Sequence, residues 1–590
     1  MEHNAIYKKA VRENFRFLKS ADTVRGAYLR SIEIPEYGSL VPLCVALKDN
    51  EDLLTKLTEW RNANVDAYPT QFLASIESTR NWFQKGLIEN DGRILFLIVT
   101  NSGDSVGHIG FNSCINEIGN FEIDNVVRGV AEAPKGIMTA AMMSLLEWAR
   151  KIIPVESFNL RVMGHNEHAI NFYLRNGFVK KATIPLRKVI SETSTLFLEI
   201  NDGSKPDRIF VDMLYSPKNQ AGEKMILTAG PSVSAREAAY AFDAAEKGWN
   251  SQWSKYLTSF ENKFSEYVGA KYAISTSSCT GALQIALMSL DIGPGDEVIV
   301  PDETWVASAA AINYVGATPV FADIELDSWN IDAASVESLV TPKTKAIIVV
   351  HMYGGPARMT PILALAQKYS LKVVEDAAPA IGATWNGKAA GTFGDFGAFS
   401  FQGAKLLVTG EGGMLVTDDK DLYEKAKKIA DQGRNPSKTF WIDERGVKFK
   451  MSNVQAAIGL AQIERADELI AMKRRIFSWY KDRLGDFPGL HLNEEVSGGR
   501  SIYWMTSLRL DRTIEISRDE LIKRLRDRNV DTRPVFPAIS QYPIWPVSQN
   551  PQPIALEVGK TAMNLPSGVC LTKNEVMYIC DQIIDILGLA

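Results

Sequence analysis

Apolar residues recur along this chain in two different rhythms. Over the first third, stretches of period two alternate with stretches of helical spacing; beyond Met225, short strand-like runs alternate regularly with helices. In the first part, Ile94–Thr100 (ILFLIVT), Ser105–Asn112 (SVGHIGFN) and Asn120–Val127 (NFEIDNVV) read as strands, and Asp49–Asn64 and Ser75–Ile88 as helices. Ser75 is a candidate cap, but Ser78 stands where a glutamate or glutamine would complete a capping box, so the box is expected to be incomplete. Residues 1–20 fit a short amphipathic helix with Ile6, Val11, Phe15 and Leu18 on one face. Val126–Met143 reads as a strand end, a loop holding Pro134, Lys135 and Gly136, and the start of a helix reaching about Ile152. Asn166–Phe178 (NEHAINFYLRNGF) sets Asn166, Ile170 and Tyr173 on one helical side before Gly177 closes it. The second rhythm is that of a mostly parallel sheet covered by helices on both faces. Between the two lies Asn201–Lys224, whose apolar centre IFVDMLY is either a last strand of the first domain or an arm crossing to the second.

At 590 residues the chain exceeds a single core, so two or more domains are expected. With 46% hydrophobic and 23% charged residues and a net charge of -5, composition gives no reason to expect nucleic acid as a partner. No uncharged apolar run reaches the roughly 18 residues of a membrane span, and MEHNAIYKKAVRENF lacks the apolar core of a secretory signal. A soluble, cytoplasmic protein away from membranes is expected. Cys44, Cys114, Cys279, Cys570 and Cys580 are scattered without CxxC spacing, which suits reduced thiols and predicts no metal site.

Candidate chemistry centres on Gly397–Thr417, GAFSFQGAKLLVTGEGGMLVT. A lysine that forms an imine must spend time neutral, and Leu406, Leu407 and Val408 beside Lys405 would desolvate its ammonium. Ser400 ends a small apolar run where a hydroxyl could meet phosphate, and the glycines of Thr409–Gly413 allow a tight turn. An exposed lysine beside a glycine-rich hairpin fits these residues equally well. Leu371–Asp376 (LKVVED) shifts the balance, because it reads as a buried strand ending in acids where open α/β sheets build their sites. Asp376 suits the carboxylate that keeps a pyridine nitrogen protonated; Glu375 reads as its structural neighbour.

EDAAPAIGA, GTFGDFGAFSF and GAKLLVTGEGGM, in that order, resemble the core of the DegT/DnrJ/EryC1 sugar-nucleotide aminotransferases over roughly residues 225–590. KMSNVQAAIGLAQIE, VDTRPVF and NLPSGVCLT are most similar to the branch that aminates GDP-4-keto-6-deoxymannose to GDP-perosamine. The resemblance implies a fold type I architecture, with a large mostly parallel sheet and a smaller C-terminal α+β subdomain, and pyridoxal 5'-phosphate bound to Lys405. A dehydrating branch carries histidine at that position, so lysine argues for amino transfer. It further implies Asp376 at the ring nitrogen, Trp305 over the ring, and Ser400, Thr280 and the Cys279 backbone at the phosphate. Lys448 stands where relatives have an asparagine reaching a partner subunit's phosphate, so a homodimer or higher homo-oligomer is implied. Trp249, Asn250, Arg533 and Tyr503 fall near the family's sugar-nucleotide segments. Pro379, Ala404 and Cys279 depart from the usual residues.

The first part, with its strand, pyrophosphate loop, helix and NEHAINFYLRNGF, resembles the GNAT N-acetyltransferases over most of residues 25–202, particularly those that acylate amino sugars on nucleotides. WRN at Trp60–Asn62 and ESTRNWF add to the likeness. It implies an α+β domain using acetyl-CoA, with Lys135, Gly136 and Ile137 at the pyrophosphate, Asn166 on the CoA side and Tyr173 protonating the departing thiolate. Ala133 and Met138 depart from the usual Q/R-x-x-G-x-G/A loop. An amine attacks only when neutral, so a base is needed; Glu122 is the first choice, with Asp124 on the same face and His108 as alternatives. The expected organisation is therefore 1–202 acetyltransferase, 203–224 linker and 225–590 aminotransferase. The expected function is amination of a GDP-linked 4-keto-6-deoxyhexose, with glutamate as donor, then N-acetylation of the new amine for O-antigen or other surface polysaccharide. The rival keeps the aminotransferase and makes residues 1–202 a non-catalytic module. A transcription regulator with an aminotransferase-like sensor would need a basic helix-turn-helix, against which the strand-rich first part argues.

Overall fold

A computed structural model describes residues 2–216, 221–545 and 552–589 of the chain. They form two compact units, Met1–Gln220 with Val233–Ala239, and Ala221–Ser232 with Tyr240–Ala590.

The first unit opens with helix α1 (Glu2–Lys19), which buries Tyr7, Val11, Phe15 and Leu18. Tyr7 takes the place expected of Ile6, because a spacing of four residues aligns it with Val11 and Phe15 and its hydroxyl donates to the Cys114 carbonyl at 2.8 Å. The sheet contains β1 (Ile32–Ile34), β2 (Gly38–Pro42), β3 (Ile94–Thr100), β4 (Ser105–Asn112), β5 (Asn120–Arg128), β6 (Ser157–Met163), β7 (Phe178–Ile190), β8 (Thr195–Glu199) and β9 (Arg208–Tyr215). Their order is β1-β2-β3-β4-β5-β6-β9-β7-β8, with a two-residue strand, Thr70–Gln71, beyond β8. Helices α2 (Ile137–Ile152) and α3 (Glu167–Arg175) follow β5 and β6. Two expectations are corrected. The Ser75 capping box is complete, since the Ser78 hydroxyl accepts from the Ser75 amide at 2.9 Å while Ser75 accepts from the Ser78 amide at 3.1 Å; a short hydroxyl reaches as a longer carboxamide would. The supposed linker from residue 203 includes β9, antiparallel to both β6 and β7 inside the sheet.

Strands β5 and β6 are parallel and pair only through Asn120–Ser157, Phe121–Phe158 and Glu122–Asn159. Beyond Glu122 the two diverge, β5 running to Arg128 and β6 to Met163. A register shift against β4, with Asn125 at φ 52°, bends β5 away at this point.

The second unit carries a seven-stranded sheet of β10 (Tyr272–Thr276), β11 (Glu297–Pro301), β12 (Thr318–Ala322), β13 (Thr344–Val350), β14 (Lys372–Asp376), β15 (Phe396–Ser400) and β16 (Gly413–Thr417). The order is β10-β16-β15-β14-β13-β11-β12, and only β16 runs against its neighbours. Val298, Val300, Ile348 and Val350 belong to one core while Ile299, Ile347 and Val349 belong to another. Alternate residues of one strand thus enter cores on opposite faces, which is why parallel strands read as unbroken apolar runs. Helices α4 (Cys279–Ser289) and α5 (Ala307–Tyr314) follow β10 and β11, and the long α6 (Ala466–Leu484) leads to a four-stranded antiparallel sheet of Leu490–Leu492, Ser507–Leu510, Ala562–Asn564 and Arg533–Pro534. The parallel strands deliver Pro301, Val350, Asp376 and Ser400 to one edge of the large sheet, where such folds place their chemistry. Among the described residues no helix is long and apolar enough to cross a membrane.

Candidate functional site

Asp376 closes β14 buried, with its carboxylate held by three donors. The Ser308 hydroxyl donates to Oδ2 at 2.7 Å, and the Ala378 amide to Oδ1 at 3.1 Å. Cys279 Sγ lies 3.8 Å from Oδ1, and burial pushes that thiol well above its ordinary value, so it stays a protonated, weak donor. Lys405 lies in the loop between β15 and β16, half-buried as a residue. Desolvation lowers its amine below the ordinary lysine value, opposed by the nearby Asp376 and Cys279. Its Nζ sits 4.0 Å from the centre of the Trp504 ring. Lysine, carboxylate, thiol and serine thus share one electrostatic neighbourhood.

The start of a helix adjoins it. Ser278 caps α4 by accepting from the Gly281 amide at 3.0 Å, leaving Cys279 and Thr280 in the first turn. A Cβ on Gly413 would fall 2.5 Å from the Ser278 carbonyl carbon and 2.6 Å from the Cys279 nitrogen, so only glycine lets β16 pass this close. The Ser400 hydroxyl is buried at the end of β15. Trp305 follows β11 half-exposed, its ring 5.4 Å from that of Phe536.

Other candidates stand apart. Lys448 is exposed and paired with Asp431 at 2.7 Å. Trp249 is exposed, its indole bonded to the Ala245 carbonyl, and Asn250 beside it has φ 53°. Arg533 is exposed and 3.4 Å from Asp531. Tyr503 does not fit a substrate contact: it is 5% exposed and stacks on Phe477 at 3.6 Å and 6°, which makes it a core residue. Glu375 is structural, taking the His351 Nε2 proton at 2.9 Å and the amides of Gly391, Phe393 and Gly394. Sequence reasoning missed Ser308 and Trp504. The first had a weak signal, a hydroxyl three residues beyond Trp305 at a helix start; the second had none nearby.

In the first unit, Gly136 precedes α2 at φ 94°, and the Arg128 guanidinium donates to the loop carbonyls of Val130 and Ala133. Lys135 is exposed there, its carbonyl accepting from Tyr37, and Ile137 is buried as the first residue of α2. Asn166 caps α3 through Oδ1, which bonds the Ala169 amide at 3.1 Å. Tyr173 is buried, and desolvation with the Asp124 charge pushes its phenol far up, so it holds its proton. Glu122, the first choice of base, is held by Arg161 at 2.8 Å, and Arg161 also binds Glu199. Asp124, bonded to Arg93 at 2.6 Å, is the carboxylate that Tyr173 and His108 feel. His108 Nδ1 donates to the Asn125 carbonyl at 2.8 Å, and burial lowers the imidazole to about 4.

Residues 231–584, more than half the chain, match the profile of the DegT/DnrJ/EryC1/StrS aminotransferase family. The chain belongs to that family. Residues 42–179 match the acetyltransferase (GNAT) domain, so this family member carries a GNAT domain ahead of its aminotransferase. It is 40% identical over 364 residues to a GDP-perosamine synthase of Caulobacter vibrioides, and 42% over 360 residues to one of Escherichia coli O157:H7. Each alignment covers 61% of this chain and 98% of the relative. A crystal structure of the aminotransferase TlmJ from Streptoalloteichus hindustanus matches at TM-score 0.58 and 30% identity, over 62% of this chain and all of that one. As in the rest of the DegT/DnrJ/EryC1/StrS family, the cofactor is pyridoxal phosphate, and the residues present fit it. A desolvated lysine, a carboxylate oriented by three donors and a glycine-bared helix start are groups of the kinds that an imine partner, a ring acid and a phosphate cradle require.

Proposed function

We propose that the chain carries out two consecutive steps on one nucleotide sugar. The second unit transfers an amino group from glutamate to the 4-keto carbon of GDP-4-keto-6-deoxymannose, giving GDP-perosamine and 2-oxoglutarate. The first unit then moves an acetyl group from acetyl-CoA to the new 4-amine, breaking the thioester, forming the amide and releasing CoA as its thiol. The product is a nucleotide-linked 4-acetamido-4,6-dideoxy sugar for O-antigen or other surface polysaccharide. What carries the reading is the joining of the Lys405 amine and the Asp376 carboxylate at the sheet edge of a perosamine-synthase-like aminotransferase.

When bound, pyridoxal phosphate supplies an electron sink. Asp376 holds a proton at the ring nitrogen, and Ser308 and the Ala378 amide fix the carboxylate that does so. Ser400, Thr280 and the Cys279 amide would hold the phosphate, and Trp305 the ring. Lys405 Nζ accepts and returns the proton that must move at carbon, and desolvation suits this by lowering the amine below the ordinary lysine value. Lys448 meets the phosphate of a partner subunit in a homodimer at least, and Trp249, Asn250 and Arg533 meet the sugar nucleotide. In the acetyl step Lys135, Gly136 and Ile137 meet the pyrophosphate of acetyl-CoA, Asn166 lies on its CoA side, and Tyr173 protonates the thiolate. The amine's proton goes to a carboxylate of β5, Asp124 in preference to Glu122, because Asp124 shares the field of Tyr173. The enzyme acts in the cytoplasm.

The second reading, a non-catalytic first unit, is favoured by the altered loop and by the pairing of both β5 carboxylates with arginines. Incubation of the full chain with GDP-4-keto-6-deoxymannose, glutamate and acetyl-CoA, with product masses followed over time, decides between them. An aminated and then acetylated mass supports two active units. Amination without release of CoA thiol supports the second reading, and no amination of any 4-keto nucleotide sugar defeats the substrate assignment.

A further inference from the structure

The loop carrying Lys405 is gripped at two points by a single side chain. The buried Trp504 donates its indole N–H to the carbonyl of Ala404, the residue before Lys405, at 2.8 Å. The face of the same ring lies 4.0 Å below Lys405 Nζ. Tryptophan alone combines a broad aromatic face with one N–H donor, so one residue reaches both the backbone and the reacting amine. An aromatic face also attracts an ammonium without hydrating it, which water in that place would do.

Trp504 is fixed in turn. Tyr353 stacks against it at 6.0 Å and 18°, and Phe536 stacks on Tyr353 at 5.5 Å and 22°. Its carbonyl accepts from Lys473 Nζ at 2.8 Å, and the second acceptor of that amine is the carbonyl of Ser567. Lys473 projects from α6 and is buried, with burial lowering its amine to about 7. A neutral amine has two N–H bonds for these two carbonyls, so the tether holds in either charge state.

We infer that Trp504, braced by Lys473, is a positioning residue that aims Lys405 Nζ and keeps water from it. The inference rests on Lys405 being the reacting lysine. Two measurements on the full-length chain test it: competitive acetic anhydride labelling of Lys405 without cofactor, across the pH range in which lysines titrate, and equilibrium binding of pyridoxal phosphate. Trp504→Leu removes both contacts. Its Lys405 labelling profile should move to higher pH, toward an ordinary lysine, because water entering in place of the ring hydrates the ammonium more strongly than the ring attracts it, and its affinity for pyridoxal phosphate should fall about tenfold. Trp504→Phe keeps the face and loses the N–H, so its labelling profile should stay near the parent while affinity falls about threefold. Lys473→Met should move both readouts in the direction of Trp504→Leu, by less. Should Lys473→Met fail to fold, the two Trp504 variants still decide. A Trp504→Leu protein that folds, with profile unchanged and affinity within about twofold of the parent, overturns the inference. A parent chain that takes up no pyridoxal phosphate overturns the role of Lys405 instead, while the labelling profile, which needs no cofactor, still judges the brace.

Discussion

The two units hold their acid–base groups in different ways. In the aminotransferase the Asp376 carboxylate is gripped by neutral donors, a hydroxyl, an amide and a thiol, which orient it without cancelling its charge. In the GNAT domain Glu122 and Asp124 are each met by an arginine, and His108 is buried as a weak base. A carboxylate held by neutral groups keeps its charge for a ligand; one held by a cation has spent much of it. The difference teaches that Asp376 already presents an uncancelled charge, whereas either β5 carboxylate would be free to take a proton only once its arginine pair had opened.

The largest effect expected is from Lys405→Ala. Amination should fall by about a thousandfold or more, while acetylation of a supplied GDP-perosamine proceeds unchanged; separate assays of 2-oxoglutarate and CoA thiol read the two. Loss of both would erase the contrast. Asp376→Asn keeps the shape and loses the charge, so amination should drop by about a hundredfold. Ser308→Ala, which only orients the carboxylate, should cost about tenfold or less; initial rates compare them. Within the first unit, Asp124→Asn should slow CoA release by about tenfold or more and Glu122→Gln by about threefold or less, and the reverse order would restore Glu122 as the base.

The smallest effect is one of stability. His108 is held below its unfolded value of about 6.5, at about 4. Above the unfolded value the ring is neutral in both states and nothing is lost. As pH falls from about 6.5 to about 4 the unfolded chain binds a proton that the folded one refuses, so stability drops by on the order of 3 kcal/mol. Urea unfolding of the parent and of His108→Gln at the two ends of that window should show the steeper loss in the parent, the difference between the two being the His108 share.

Much of this was legible in the amino-acid order. Apolar runs bounded by polar and glycine residues gave β3 and β4 their limits, and alternation gave β5 to within one residue. Lys405 and Asp376, about thirty residues apart, were readable because strand ends in a parallel sheet converge by rule. Contacts with no local signature were not readable. Tyr503 and Trp504 are neighbours in a strand-like run, and nothing there says which ring enters the core against Phe477 and which supports a lysine. Strand β9 was ambiguous because its partners lie 18 and more residues upstream and its flanks read as a connection. The capping box was missed for a chemical reason, since a serine hydroxyl both accepts from the N-cap amide and fits the space.

The interior position of β9 bears on any attempt to dissect the enzyme. A fragment ending near residue 202 would lack the ladder between β6 and β7 and offer two naked edges to aggregation. A free-standing GNAT domain should therefore be cut no earlier than Tyr215, and a ribosome must release that strand before the nascent sheet can close.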